Sequence, residues 1–69
     1  MRYFVTDSNG IPLHSQPDEG YTLTEACARH TREVQEAYRL LHNRFPEVPY
    51  SEFDKDFGIV TADLKEVIL

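Results

Sequence analysis

The chain has no tryptophan, one cysteine, one methionine and three glycines, and few positive charges: seven Lys and Arg against twelve Asp and Glu in 69 residues. Each shortage excludes something. Cys27 alone cannot form the internal disulfides that small secreted domains usually need, so stability has to come from packing and a reducing compartment is expected. The longest uninterrupted apolar stretch, Val67-Ile68-Leu69, falls far short of the roughly 20 residues that span a bilayer. The polar residues Thr6, Asp7 and Ser8 follow close on the N-terminus, without the apolar core or cleavage site of a signal peptide, which points to a cytoplasmic location. A net charge of −5 lacks the basic footprint of a nucleic-acid binder, so no direct nucleic-acid contact is expected. There is no phosphate loop, dinucleotide fingerprint, serine elbow, internal repeat or low-complexity tract.

What is present reads as hairpin, helix and tail within one small domain, residues 1–69. Arg2 to Thr6 is rich in aromatic and β-branched residues, and Asp7-Ser8-Asn9-Gly10 carries turn chemistry before Ile11-Pro12-Leu13. A two-residue Asn-Gly turn would mix polar and apolar side chains on both faces. A three-residue loop with a left-handed Gly10 instead pairs Asp7 with Ile11, Val5 with Leu13 and Tyr3 with Ser15, gathering Tyr3, Val5, Ile11 and Leu13 on one face. The second register is preferred, because a one-residue slip would turn the whole apolar set outward. Pro12 cannot donate to a ladder, which puts the second strand at a sheet edge.

Gln16 to Tyr21 forms a connecting loop. Thr22 with Glu25 three positions on fits a capping box, and the apolar spacing changes there from two to three and four. A helix is predicted from Thr22 to Asn43 or Arg44, stopped by Pro46. Leu23, Ala26, Cys27, His30, Val34, Ala37, Tyr38 and Leu41 fall within an arc of about 120°. Glu25, Arg29, Arg32, Glu33, Glu36, Arg39 and Asn43 make a solvated opposite face with charge pairs at spacing four.

After Pro49, Phe53 and Phe57 alternate with Glu52, Asp54 and Asp56, which reads as an extended segment or strand running into Gly58-Ile59-Val60-Thr61. Leu64 to Leu69 fits a closing strand slightly better than a helical turn. The expected fold is α+β in two layers: an N-terminal β-hairpin, one long amphipathic helix, and one or two C-terminal strands in an antiparallel sheet of three or four. Strands of five or six residues reach only about 17 to 20 Å, so the helix should overhang the sheet by about 10 Å. The Tyr50-Phe53-Phe57 segment or a second copy has to cover that overhang.

His30 stands mid-stripe where a leucine would be ordinary. Cys27 one turn earlier invites a thiol or metal site, but zinc wants three or four ligands and neither His14 nor His42 supplies a third. An uncharged, hydrogen-bonded histidine in a core or dimer interface is the simpler reading. Glu52-Phe-Asp54-Lys-Asp56-Phe-Gly58 resembles a calcium loop only superficially: counted from Glu52, it lacks glycine at the sixth position and glutamate at the twelfth. No cofactor and no metal are expected.

Charge is concentrated in the tail. From Pro46 onward there are six acids (Glu47, Glu52, Asp54, Asp56, Asp63, Glu66) against Lys55 and Lys65, a net of −4. Carboxylates beside Tyr50, Phe53 and Phe57 suit a basic protein partner, with charge speeding encounter and aromatics anchoring. The leading expectation is a non-enzymatic accessory or inhibitory factor that binds another protein, such as a basic nucleic-acid-processing one, through Tyr50, Glu52, Phe53, Asp54, Asp56 and Phe57. The alternative is a homodimer joined through the helix, with His30, Tyr38, Leu41 and Phe45 at the interface. A thiol- or metal-dependent enzyme at Cys27 and His30 comes third.

Overall fold

A computed structural model describes residues 1–63. The architecture is α+β, in the order β1 (Tyr3–Thr6), α1 (Leu23–Leu41), α2 (Tyr50–Asp54) and β2 (Gly58–Thr61). The strand-or-turn choice for Leu64 to Leu69 lies outside the described residues.

The two strands pair antiparallel, with Tyr3 opposite Thr61, Phe4 opposite Val60, Val5 opposite Ile59 and Thr6 opposite Gly58. Along this ladder, alternate residues of β1 point their amides away from β2, and those groups also find partners. The preferred hairpin register is the one adopted: Asp7 N–H donates to Ile11 C=O (2.9 Å), Leu13 N–H to Val5 C=O (2.9 Å), and Thr6 bridges Pro12. Gly10 has φ +80°, as the three-residue loop requires, and Asp7 Oδ1 accepts from Asn9 N–H (2.8 Å) and Ile11 N–H (3.0 Å).

The hairpin's second arm departs from the expectation in two ways. It makes a single bridge instead of a strand, because Pro12 has no N–H and Ser15 turns the chain away at φ 64°. Tyr3 therefore pairs with Tyr21 and not with Ser15, exchanging N–H to C=O bonds of 2.8 and 2.7 Å. Gly20 makes this possible. Its φ is +87°, and a Cβ there would lie 2.8 Å from Tyr3 C=O and 3.1 Å from Arg2 Cβ, so both conformation and space demand glycine. Ile11 is 59% exposed instead of joining the apolar face. It sits opposite Asp7, beyond the end of β1 and of β2, where the sheet no longer offers a surface.

Thr22 caps α1 with a full capping box: its Oγ1 accepts from Glu25 N–H (3.3 Å), and Thr22 N–H donates to Glu25 Oε1 (2.9 Å). The helix ends at Leu41, two or three residues sooner than predicted, with Arg44 and Phe45 N–H both donating to Leu41 C=O at 3.0 Å as the chain unwinds towards Pro46. Val5, Ala26 and Ile59 form the buried centre between helix and sheet, flanked by Tyr3, Leu13, Tyr21 and Cys27. His30 and Val34 continue the buried line along α1.

Nineteen helical residues span about 28 Å, whereas a four-residue strand spans about 13 Å. The overhang is therefore larger than expected, and α2 covers it from within the same chain. Tyr38 meets Tyr50 edge-on at a centroid distance of 5.3 Å and Phe53 at 5.5 Å, while His42 tilts over it at 4.6 Å.

Candidate functional site

The extended segment or strand expected over residues 52–57 is instead the short helix α2 followed by a turn. Pro49 supplies the extended residue before it, and Tyr50 and Phe53, three apart, turn the same way onto Tyr38. An apolar spacing of four, as between Phe53 and Phe57, is even and so suits a strand, yet it is also one helical turn. That ambiguity hid the helix.

The change of element redistributes the proposed contact residues. Phe53 is 4% exposed and Phe57 half-buried, so neither is a surface anchor. The carboxylates remain outside: Glu47, Glu52, Asp54 and Asp56 are all exposed. Glu52 is paired with Lys55 at 3.2 Å, a surface contact worth little energetically. Tyr50, at 41% exposure, shows part of its ring to solvent, and Phe45, at 52%, lies just ahead of it in the chain. Over residues 46–63 five acids face one base, a net of −4. Of the acids, Asp63 accepts a hydrogen bond from Thr61 Oγ1.

His30 is a buried structural residue. Its Nε2–H donates to Phe57 C=O at 3.2 Å, and Nδ1 stands 4.0 Å from Asp54 Oδ1. A carbonyl can only accept, which places the proton on Nε2. The residue thus ties α1 to the turn between α2 and β2, which accounts for a histidine in the apolar stripe. Tyr38 is half-buried in the ring cluster, and Leu41 is half-buried with its C=O occupied. Of the four residues expected at a dimer interface, Phe45 alone is openly exposed. His42 presents Nδ1 to the interior without a hydrogen-bond partner among the described residues.

Cys27 is half-buried against the core cluster, and among the described residues no group of three or more His, Cys, Asp or Glu side chains converges to hold a metal ion. No helix of the described residues is long and apolar enough to cross a membrane.

Arg29 lies on the face that the sequence pattern marks as solvated, yet it joins that face to the loop before α1. Its Nε donates to Glu33 (2.7 Å), one terminal nitrogen to Ser15 C=O (3.0 Å) and Tyr21 Oη (3.1 Å), and the other to His14 C=O (2.9 Å). Burial disfavours its charge, but the hydrogen bonds it donates to Glu33 and Tyr21, with the Glu33 carboxylate charge, outweigh this and raise its pKa. Only Glu33 at spacing four was visible in the sequence; the carbonyls of residues 14 and 15 are brought in by the turn at Ser15. The shallow depression lined by Tyr21, Glu25, Ala28, Arg29 and Arg32 is built from groups already committed to these bonds and to the helix cap, apart from Arg32 and the Ala28 methyl.

No family model, curated protein or solved structure matches the chain.

Proposed function

We propose that this chain is a non-enzymatic binding module that engages a basic protein surface through α2 and its flanking turns. The observation that carries the reading is the exposure of Glu47, Glu52, Asp54 and Asp56 within ten residues, beside the half-open ring of Tyr50. One base, Lys55, offsets them locally. Such a surface attracts a basic partner over long range and offers aromatic contact at its centre. The contact set is accordingly Phe45, Glu47, Tyr50, Glu52, Asp54 and Asp56, with Phe53 and Phe57 serving to hold α2 in place.

Surfaces that handle nucleic-acid phosphates are basic and accept carboxylate rows, so the partner proposed is a nucleic-acid-processing protein, with this chain acting as an accessory or inhibitory factor. A reducing, cytoplasmic setting agrees with the unpaired Cys27. The helix-mediated homodimer gains no support from α1, because α2 fills the overhang that called for a second copy.

Affinity capture from the native host tests the proposal. The wild-type chain should retain a basic protein at low salt and release it as salt rises. The triple variant Glu52→Ser, Asp54→Ser, Asp56→Ser should not retain it. Equal retention by both chains would refute the assignment of this surface.

A further inference from the structure

The segment Pro49–Phe57 packs on α1 but is held there by few polar contacts. Its backbone bonds are internal: Glu52 N–H to Pro49 C=O (3.0 Å), Asp56 N–H to Phe53 C=O (3.1 Å) and Phe57 N–H to Asp54 C=O (3.4 Å). Its Lys55–Glu52 ion pair is internal too, while Asp54 Oδ1 faces His30 Nδ1 of α1 across 4.0 Å. Among the described residues, the single hydrogen bond leaving it is His30 Nε2–H to Phe57 C=O. Phe53 is its one fully buried side chain, Phe57 is half-buried, and Tyr50 and Phe53 meet Tyr38 edge-on. The helix inside it has five residues and no side-chain cap, well short of a length that holds itself together.

By contrast, β1 is tied on both edges, and α1 has a capping box, the Arg29 bonds and a buried line of side chains. Opening free energies within a protein scale with such attachments, and weakly tied segments open while the remainder stays folded.

We infer that Pro49–Phe57 is a strap that opens as a unit, hinged over Pro46 to Val48 and at the Phe57–Gly58 junction, while α1 and the β1–β2 pair remain folded. Opening breaks the His30–Phe57 bond, withdraws Phe53 and uncovers Tyr38 and the His30 imidazole. The inference concerns the free protein and stands apart from the partner reading above.

Native-state hydrogen exchange on the full chain tests it, with Thr22→Ala as the probe variant. Losing the cap weakens α1 by about 1 kcal/mol, so amides that exchange only on global unfolding should exchange about fivefold faster. The β1–β2 ladder amides and Val34 should show that acceleration. The amides of Glu52, Asp56 and Phe57 should share one opening free energy and denaturant slope, smaller than the global values, and should not respond to Thr22→Ala. Acceleration of these amides by the same factor as the ladder would overturn the strap, and so would three unrelated opening energies among them.

Discussion

Gln16 stands beside Val5 as if it were a strand residue, although only its side chain is there. Its Oε1 accepts from Val5 N–H at 2.8 Å, and its Nε2 donates to Val5 C=O at 2.9 Å and to Leu13 C=O at 2.8 Å. The carboxamide fills the place in the ladder that the chain vacates when it turns at Ser15. Val5 is fully buried, so its amide has no water to fall back on.

Gln16→Ala should therefore destabilise the fold by about 1–3 kcal/mol, the cost of a buried amide left without a partner. In a domain of this size that lowers Tm by roughly 4–8 °C per kcal/mol. Gln16→Glu should also destabilise, because a carboxylate can accept from Val5 N–H but cannot donate to the two carbonyls. Thermal melts that left either variant at the wild-type Tm would contradict the role given to this side chain.

Arg29 should resist conservative replacement. Arg29→Ala removes hydrogen bonds to His14, Ser15, Tyr21 and Glu33, and should cost about 1–3 kcal/mol. Arg29→Lys should recover little, since an ammonium cannot reproduce the fork that reaches two carbonyls, a hydroxyl and a carboxylate together. Urea midpoints decide it: a lysine variant as stable as wild type would show that only the charge matters.

The capping box makes a prediction about acid. The Thr22 backbone N–H, and after it the Thr22 side chain, hold the Glu25 carboxyl below its ordinary value against a smaller opposing effect of burial. The folded-state pKa is thus the lower one. The stabilisation it brings is complete above the ordinary carboxylate value and is lost as pH falls through the folded value. Glu25→Gln should be less stable than wild type at neutral pH, with the gap closing on the acid side. A gap in urea midpoint that stays constant across that range would contradict the linkage.

Local features could be read from the chain. Thr22 and Glu25 lie three apart, and the hairpin register follows from Gly10 and from the alternation of Val5, Ile11 and Leu13, so neighbours in sequence decide both. The helix α2 could have been read from Tyr50 and Phe53, whose spacing of three suits a helix and not a strand, but Phe53 and Phe57 fit either period. Gln16, Gly20 and Arg29 were not legible. Each depends on where the turn at Ser15 delivers the chain, a matter of one backbone conformation that composition and periodicity do not encode. The acidic surface was legible as charge, whereas the division between buried Phe53 and open Tyr50 required the geometry of α2 against Tyr38.

His30 connects the two halves of this picture, because it holds the turn that follows α2 through Phe57 C=O. His30→Leu keeps the stripe apolar but leaves that carbonyl without its donor, at a cost of about 1–3 kcal/mol. The variant should fold, with amide chemical-shift changes centred on residues 53–58. Changes confined to α1 would show that the imidazole does not anchor α2.

A partner that lands on α2 leaves its footprint in the amide chemical shifts of the chain. On titration of the isotope-labelled chain with the captured partner, perturbations should cluster at Phe45, Glu47, Tyr50, Glu52, Asp54 and Asp56 and weaken as salt is raised. Perturbations centred on the outer face of α1, around Arg32 and Glu36, or on the hairpin around Asn9, would contradict it.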